Sequence, residues 1–142
     1  MKRFSSYILY TLLLAAVVLA CNDRLDIVQI YGFDLQTLPV PKTVVQNETV
    51  EIRCQLVKQG DYSAAEYAIR YFQPDGKGEL RLDDGTLLTP NDLFALKKDV
   101  FRLYYTSRST DQQTIDIYIV DNSGQVVKKS FSFSGESNDT SQ

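Results

Sequence analysis

The chain has 142 residues, with 15 Lys and Arg against 18 Asp and Glu, and it contains no histidine. This length suits a single domain, and the absence of histidine excludes Ser-His-Asp and Cys-His nucleophile pairs, HExxH zinc sites and histidine-based acid–base catalysis. A formal net charge of −3 without a basic patch argues against nucleic-acid binding.

The N-terminus has the features of a bacterial lipoprotein signal peptide. Lys2 and Arg3 precede an uncharged run at residues 7–20, which has the length of a secretory apolar region but not the roughly 20 residues of a membrane-spanning helix. The run leads into the lipobox VLAC at residues 18–21, where Cys21 would be acylated and the peptide cut before it. An uncleaved signal anchor with an incidental cysteine is the alternative.

These features divide the chain into four expected segments. Residues 1–20 form the signal peptide, residues 21–32 a tether, residues 33–134 the folded domain, and residues 135–142 a disordered tail without apolar side chains. Because a single acyl chain binds membranes only marginally, we expect a multiply acylated Cys21. The expected location is the cell envelope, on the periplasmic or surface face of the outer membrane.

Cys54 is the second of two cysteines, so it has no disulfide partner once Cys21 is acylated and cannot build a cysteine zinc cluster. It shares the alternation phase of Val50, Ile52 and Leu56. This pattern predicts a small buried apolar residue on a strand.

Alternating strand patterns dominate the chain from residue 33 onward. Phe101, Leu103 and Tyr105, for example, share one phase, while Arg102 and Tyr104 share the opposite one. The predicted strands lie at residues 33–38, 48–57, 66–73, 78–82, 86–89, 99–106, 112–120 and 125–134. Seven or eight short strands separated by turn sequences indicate an all-β, immunoglobulin-like antiparallel β-sandwich, although the core Trp and the disulfide of antibody domains are missing.

The sequence Gly76-Lys77-Gly78 resembles a phosphate-binding loop only superficially. A P-loop requires GxxxxGK[ST] followed by a helix, whereas the residues after Gly78 alternate like a strand. We therefore predict a turn with positive φ at both glycines. Further along, the sequence TPND at residues 89–92 predicts a short capped turn leading into Leu93 and Phe94.

The sequence DNSG at residues 121–124 predicts a hairpin turn, because it lacks the later Glu and the alternating oxygen ligands of a calcium loop. In the strand that follows, Lys129 shares the apolar phase of Val127 and Phe131, which predicts a bulge near Lys128 and Lys129.

Carboxylates are the remaining candidates for catalysis, since a pair of them can cleave glycosidic bonds. Asp75, Asp83 and Asp84 are of the right type, but they lie in turn sequences where Asp is favoured for backbone reasons. The sequence therefore predicts no catalytic residue, no metal site and no cofactor.

Several runs together resemble the TraQ-type conjugal transfer proteins, which are small lipoproteins of conjugative transposons in Gram-negative hosts. The resemblance extends over about residues 22–133, and it implies a part in conjugation or in the mating apparatus without enzyme activity or cofactor. The runs that carry it are PVPK (39–42), ETVEIRC (48–54), IRYFQPDGKGELRLDDGT (69–86), TPND (89–92) and FRLYYTSRSTDQQTID (101–116).

Two classes of function remain open. One is a structural or interaction component of a conjugation machine, with other conjugal transfer proteins of the envelope as partners. The other is a carbohydrate- or adhesin-binding immunoglobulin-like lipoprotein, which rests on fold analogy. Outward phase and residue type predict a partner-binding patch of Arg70, Phe72, Arg102 and Tyr104, with aromatic residues of the core as the alternative interpretation. The partner and the oligomeric state do not follow from the sequence.

Overall fold

The structure is a computed structural model that describes Tyr7 and residues 30–137. Residues 30–137 form ten strands. They are β1 (Phe33–Thr37), β2 (Thr43–Val45), β3 (Thr49–Lys58), β4 (Tyr67–Asp75), β5 (Gly78–Leu82), β6 (Leu87–Leu88), β7 (Phe94–Leu96), β8 (Val100–Ser107), β9 (Gln113–Asp121) and β10 (Val126–Glu136).

The strands form two five-stranded sheets. The first has the order β1-β3-β8-β5-β6 and the second the order β2-β10-β9-β4-β7. All pairings are antiparallel except that of β2 with β10. Leaving out short strands, the sheets correspond to the A-B-E-D and G-F-C sheets of an immunoglobulin domain. The predicted immunoglobulin-like sandwich is therefore confirmed.

The eight predicted strands are all present, but two additional strands raise the count above the predicted seven or eight. β2 and β7 have three residues each and lie at the edges of the second sheet. The short turn predicted at TPND is confirmed at Pro90 and Asn91, where the Asp92 amide donates to the Thr89 carbonyl at 3.2 Å, and the chain after it forms β7 from Phe94 onward. β10 also continues to Glu136, two residues into the predicted tail, because its end pairs with β2.

The core lies between the sheets and is filled from both sides by alternating side chains. Cys54 is 3% exposed, as predicted, and burial raises the pKa of its thiol to about 12. Residues of the outward phase alternate with this core along every long strand. Other side chains that are fully buried include Leu35, Ile52, Ile69, Leu80, Leu103, Ile115, Ile117, Ile119 and Phe133.

A buried polar cluster lies at the end of the sandwich where β8 ends and β9 begins. The Tyr105 hydroxyl donates to Gln113 Oε1 and accepts a bond from Gln73 Nε2 at 2.8 Å. Gln113 Nε2 donates in turn to Ser107 Oγ at 2.5 Å and to the Ser109 carbonyl at 3.0 Å. Tyr105, Ser107 and Gln113 are all fully buried, so these bonds satisfy groups that water does not reach.

The β4–β5 turn corrects the prediction for its glycines. Gly76 has a φ of 76°, but Gly78 does not have a positive φ. Gly78 is required for a different reason, because a Cβ there would lie within 2.5 Å of the Tyr105 ring. The ring cannot withdraw easily, since it stacks on Phe133 at 5.6 Å and its hydroxyl is bonded.

The predicted bulge at Lys128 and Lys129 is wrong. β10 pairs with β9 in unbroken register from Val126 to Phe133, which leaves Lys129 half-buried on the inward phase. The register shift occurs instead in β4, between Phe72 and Asp75. Pro74 lies within this interval and lacks the N–H of a ladder bond, so the pairing is interrupted there.

Candidate interaction surfaces

The structure places the predicted patch on two opposite surfaces. Arg70 and Phe72 lie on β4 with their neighbours Ile69 and Tyr71 buried, so they project from the outer face of the second sheet. Arg102 and Tyr104 project from β8 on the outer face of the first sheet. The prediction that all four side chains point outward is confirmed. The prediction that they form a single patch is wrong, because the two pairs lie on opposite sheets.

The outer face of the first sheet carries two clusters of ion pairs, one around Glu51 and one around Glu79. Arg53 and Arg102 lie directly opposite each other, and both contact Glu51 Oε1, at 2.6 and 3.6 Å. The bond from Arg53 and the two positive charges lower the pKa of Glu51. Glu79 is shared in the same way by Arg81 at 3.8 Å and Arg108 at 3.2 Å. Each carboxylate thus already has two guanidinium partners.

The outer face of the second sheet has a tyrosine between two cations. The register places Arg70 of β4, Tyr118 of β9 and Lys128 of β10 side by side. The Arg70 guanidinium carbon lies 5.0 Å from the centre of the Tyr118 ring, and Lys128 Nζ lies 5.6 Å from it. Both distances are within the range of cation–π interactions.

The adjacent row on this face contains a shielded carboxylate. Asp116 has the outward phase but is 7% exposed, between Phe72 on one side and Ser130 on the other. Ser130 Oγ donates to it at 2.5 Å, and Lys128 Nζ contacts it at 2.9 Å. These bonds and the positive charge of Lys128 lower the pKa of Asp116, so Asp116 neutralises Lys128.

Arg70, in contrast, forms no ion pair with any carboxylate of residues 30–137. Its Nε is buried and has no hydrogen-bond acceptor within that range. Buried donors without an acceptor are rare in folded proteins, because each costs about 1–3 kcal/mol. Arg70 is therefore a cation whose charge the second sheet does not balance.

A groove crosses the second sheet beside this row. The register aligns Ala95 of β7, Ala68 of β4 and Val120 of β9, so the floor consists of small and apolar side chains. The groove has a volume of about 720 Å³. Its walls include Leu93 and the polar or charged side chains of Lys58, Glu66, Lys97, Asp99, Asp121 and Asn122. Leu93, which lines the groove, is 59% exposed, and Phe72, four residues from Ala68 on the same face of β4, is 42% exposed.

Two of the three carboxylates considered for catalysis, Asp83 and Asp84, serve a surface pair and a turn. Asp84 Oδ1 accepts a bond from the Thr86 amide at 2.9 Å, while Asp83 lies 3.8 Å from Lys98 Nζ. In the DNSG turn, the Asp121 carboxylate accepts bonds from the amides of Ser123 and Gln125, and the predicted hairpin is confirmed. No group of three or more His, Cys, Asp or Glu residues that could hold a metal ion occurs among the described residues.

Sequence reasoning missed Ala68, Ala95, Asp116 and Lys128 as parts of a surface. A combination of strand register and strand order would have identified them, since all four have the outward phase on neighbouring strands. Alternation alone supplies the phase but neither the register nor the order.

Cys21 and the residues around it lie outside the described residues, so the structure does not test the lipidation site. Within the part of the chain that the structure describes, no helix combines the length and apolar character needed to cross a membrane. The chain reaches β1 through Ile30 to Gly32, which are held by bonds from Gln125 Nε2 to the Tyr31 carbonyl and from the Gln59 amide to the Gly32 carbonyl, at 3.0 and 2.9 Å.

Solved structures of three proteins from Bacteroides are similar to this chain over most of its length. A conjugative transposon lipoprotein from Bacteroides eggerthii is 41% identical, with a TM-score of 0.70 over 73% of this chain and 98% of its own. A lipoprotein from Bacteroides thetaiotaomicron is 54% identical, with a TM-score of 0.69 over 81% and 88% of the two chains. A conjugate transposon protein from Bacteroides vulgatus is 43% identical, with a TM-score of 0.67 over 84% and 97%.

No curated protein matches the chain. The family described as TraQ conjugal transfer protein matches residues 5–136, which is nearly the whole sequence. This match agrees with the conjugative transposon proteins among the similar structures. The chain therefore belongs to the TraQ family of conjugal transfer proteins.

Proposed function

We propose that the protein is a non-enzymatic lipoprotein of the cell envelope that docks another protein of the mating apparatus through the outer face of its second sheet. Membership of a conjugal transfer family supports the process, and the lipoproteins among its structural relatives support the anchor. A binding role without turnover is supported by the absence of histidine and by carboxylates that are engaged in turns.

The observation that carries the choice of surface is the difference between the two faces. On the first sheet, two carboxylates are each shared by two arginines, so the charged groups satisfy one another. The second sheet combines an unbalanced Arg70 with a groove and with exposed Phe72 and Leu93. Aromatic residues and Arg are common anchors of protein interfaces, and exposed apolar groups gain most from being covered.

The anchor in this proposal is Cys21. We expect Cys21→Ser to leave an unprocessed precursor that incorporates no clickable palmitate analogue, and density-gradient fractionation of donor membranes will identify the membrane that holds the wild-type protein. Palmitate labelling of the serine variant would refute the assignment of the acylated residue.

A mating assay with surface variants tests the docking face. We expect Phe72→Ala combined with Leu93→Ala to reduce transfer frequency, because truncating interface anchors can cost about 2 kcal/mol, or roughly thirtyfold in binding. The matched control is Leu87→Ala with Val100→Ala, which removes apolar side chains of similar exposure, 47% and 67%, from the outer face of the first sheet.

Both double variants should reach wild-type levels in donor membranes, since outward positions contribute little to stability. Normal transfer by the Phe72/Leu93 variant would show that this face is not the docking surface. An equal loss of transfer in the Leu87/Val100 control would show that the effect is not specific to the second sheet. If the Phe72/Leu93 variant lost binding to a glycan and kept binding to transfer proteins, the carbohydrate-binding alternative would be favoured.

A further inference from the structure

We infer that the groove on the second sheet receives a protein segment with a bulky apolar side chain one or two residues away from a carboxylate. This inference rests on the proposed function and specifies the chemistry of its partner. It follows from the shape of the groove, the charge beside it and the distance between the two.

The groove floor lacks side chains that would bind polar groups. Ala68, Ala95 and Val120 contribute methyl groups, and each lies on a strand neighbouring the next. Because adjacent strands are about 4.8 Å apart, the floor spans roughly 10 Å, which is the scale of one large side chain. A leucine- or phenylalanine-sized group would cover apolar surface that is now open to water, and each methylene buried would contribute about 0.8 kcal/mol.

The charges around the groove are of both signs, since Lys58 pairs with Asp99 at 2.8 Å and Glu66, Lys97 and Asp121 also line it. The unbalanced charge beside the floor is that of Arg70, two residues from Ala68 on β4. Of the two cations on Tyr118, Lys128 is neutralised by Asp116, whereas Arg70 has no carboxylate within the described residues. Its Nε also lacks an acceptor. A carboxylate that approaches the guanidinium side-on can bond Nε and a terminal nitrogen together, and a small rotation of Arg70 would admit it. A basic segment would be repelled by the guanidinium, and a neutral segment could accept from Nε but would leave the charge of Arg70 unbalanced.

The spacing links the two features. Ala68 and Arg70 are two residues apart on the same face of β4, which corresponds to about 6.6 Å. On an extended partner segment, the side chains of residues one or two positions apart are separated by a distance comparable to that between Ala68 and Arg70. The carboxylate is therefore expected within two positions of the apolar residue.

Selection from a displayed library of random peptides of about seven residues tests this inference, since that length can cross the floor in extended conformation. The bait is the lipidated mature protein in detergent micelles. We expect wild-type protein to enrich peptides with Leu, Ile or Phe within two positions of Asp or Glu. Arg70→Glu should reverse the charge preference toward Lys or Arg, and Ala68→Leu should reduce enrichment about tenfold by filling the floor, equal to ~1.4 kcal/mol.

Arg102→Glu is the matched control, because it reverses an exposed arginine on the opposite sheet and should leave the enriched motif unchanged. Absence of enrichment with the wild type, a motif that is indifferent to Arg70→Glu, or an equal effect of Arg102→Glu would each overturn the inference. The inference would also be overturned if a photo-crosslinking residue at position 95 captured only a second copy of this chain or residues 22–29 of the same chain. If the Phe72/Leu93 variant loses transfer while the motif fails, the docking face stands and the partner chemistry is wrong.

Discussion

Tyr105→Phe removes one oxygen atom from the buried polar cluster and should destabilise the fold measurably. The hydroxyl donates to Gln113 Oε1, in a side chain that is fully buried, and accepts from Gln73 Nε2. Gln73 retains its bond to the Asp75 carbonyl at 3.2 Å, but Gln113 Oε1 loses its donor. An unsatisfied buried group costs about 1–3 kcal/mol, so we expect the free energy of unfolding to fall by about 2 kcal/mol and the melting temperature by roughly 8 °C.

Urea unfolding of residues 22–142, followed by circular dichroism, measures this loss as a lower midpoint at an unchanged slope. Tyr104→Phe is the matched control, since it makes the same chemical change at the neighbouring residue on the outer face, where the effect should stay within about 0.5 kcal/mol. Equal stabilities of the two variants would refute the reasoning that the cluster, and not tyrosine in general, stabilises this end of the sandwich.

Three further predictions concern Cys54, Gly78 and the pair Asp83 and Asp84. The free energy of unfolding should fall between about pH 9 and 12, because the unfolded chain releases the Cys54 proton at its ordinary pKa of 9.0 while the folded chain retains it to about 12. The free energy should fall by at most about 1.4 kcal/mol per pH unit. In Cys54→Ala, this pH dependence should be weaker between about pH 9 and 10. Gly78→Ala should cost about 1–3 kcal/mol in urea unfolding through overlap with the Tyr105 ring, and an unchanged midpoint would contradict that packing. Asp83→Asn with Asp84→Asn should leave mating transfer unchanged, because Asn can also accept the Thr86 amide; a large loss with the fold intact would reopen the carboxylate or metal interpretation.

Alternation in the sequence was sufficient to orient the long strands. Phe101, Leu103 and Tyr105 point inward and Arg102 outward, as their phase predicts, because one face of each strand must be removed from water. The same signal fails for β2 and β7, since three residues are too few to establish a period. Their positions depend on pairing with β10 and β4, which is a tertiary interaction.

The candidate surface was not predictable for the same reason. Arg70 and Arg102 have the same outward phase in strands of similar composition, yet they lie on opposite sheets because β4 pairs with β9 and β8 pairs with β3. Ala68 carries no sequence signal of its own. It becomes part of a groove only because the register sets it between Ala95 and Val120.

The position of the groove restricts the partner further if Cys21 carries the lipid, as proposed. Ala68 lies one residue from the start of β4 and Val120 one residue from the end of β9, which is the end of the sandwich where β1 begins. Nine residue steps separate Cys21 from Ile30, so the chain reaches at most about 30 Å from the membrane surface before the fold begins. The groove lies at the end of the sandwich where the tether enters, so the tether limits its distance from the bilayer to a few tens of ångströms. A partner that fills it must present its acidic and apolar segment within that distance of the same membrane, as another component of the envelope apparatus would.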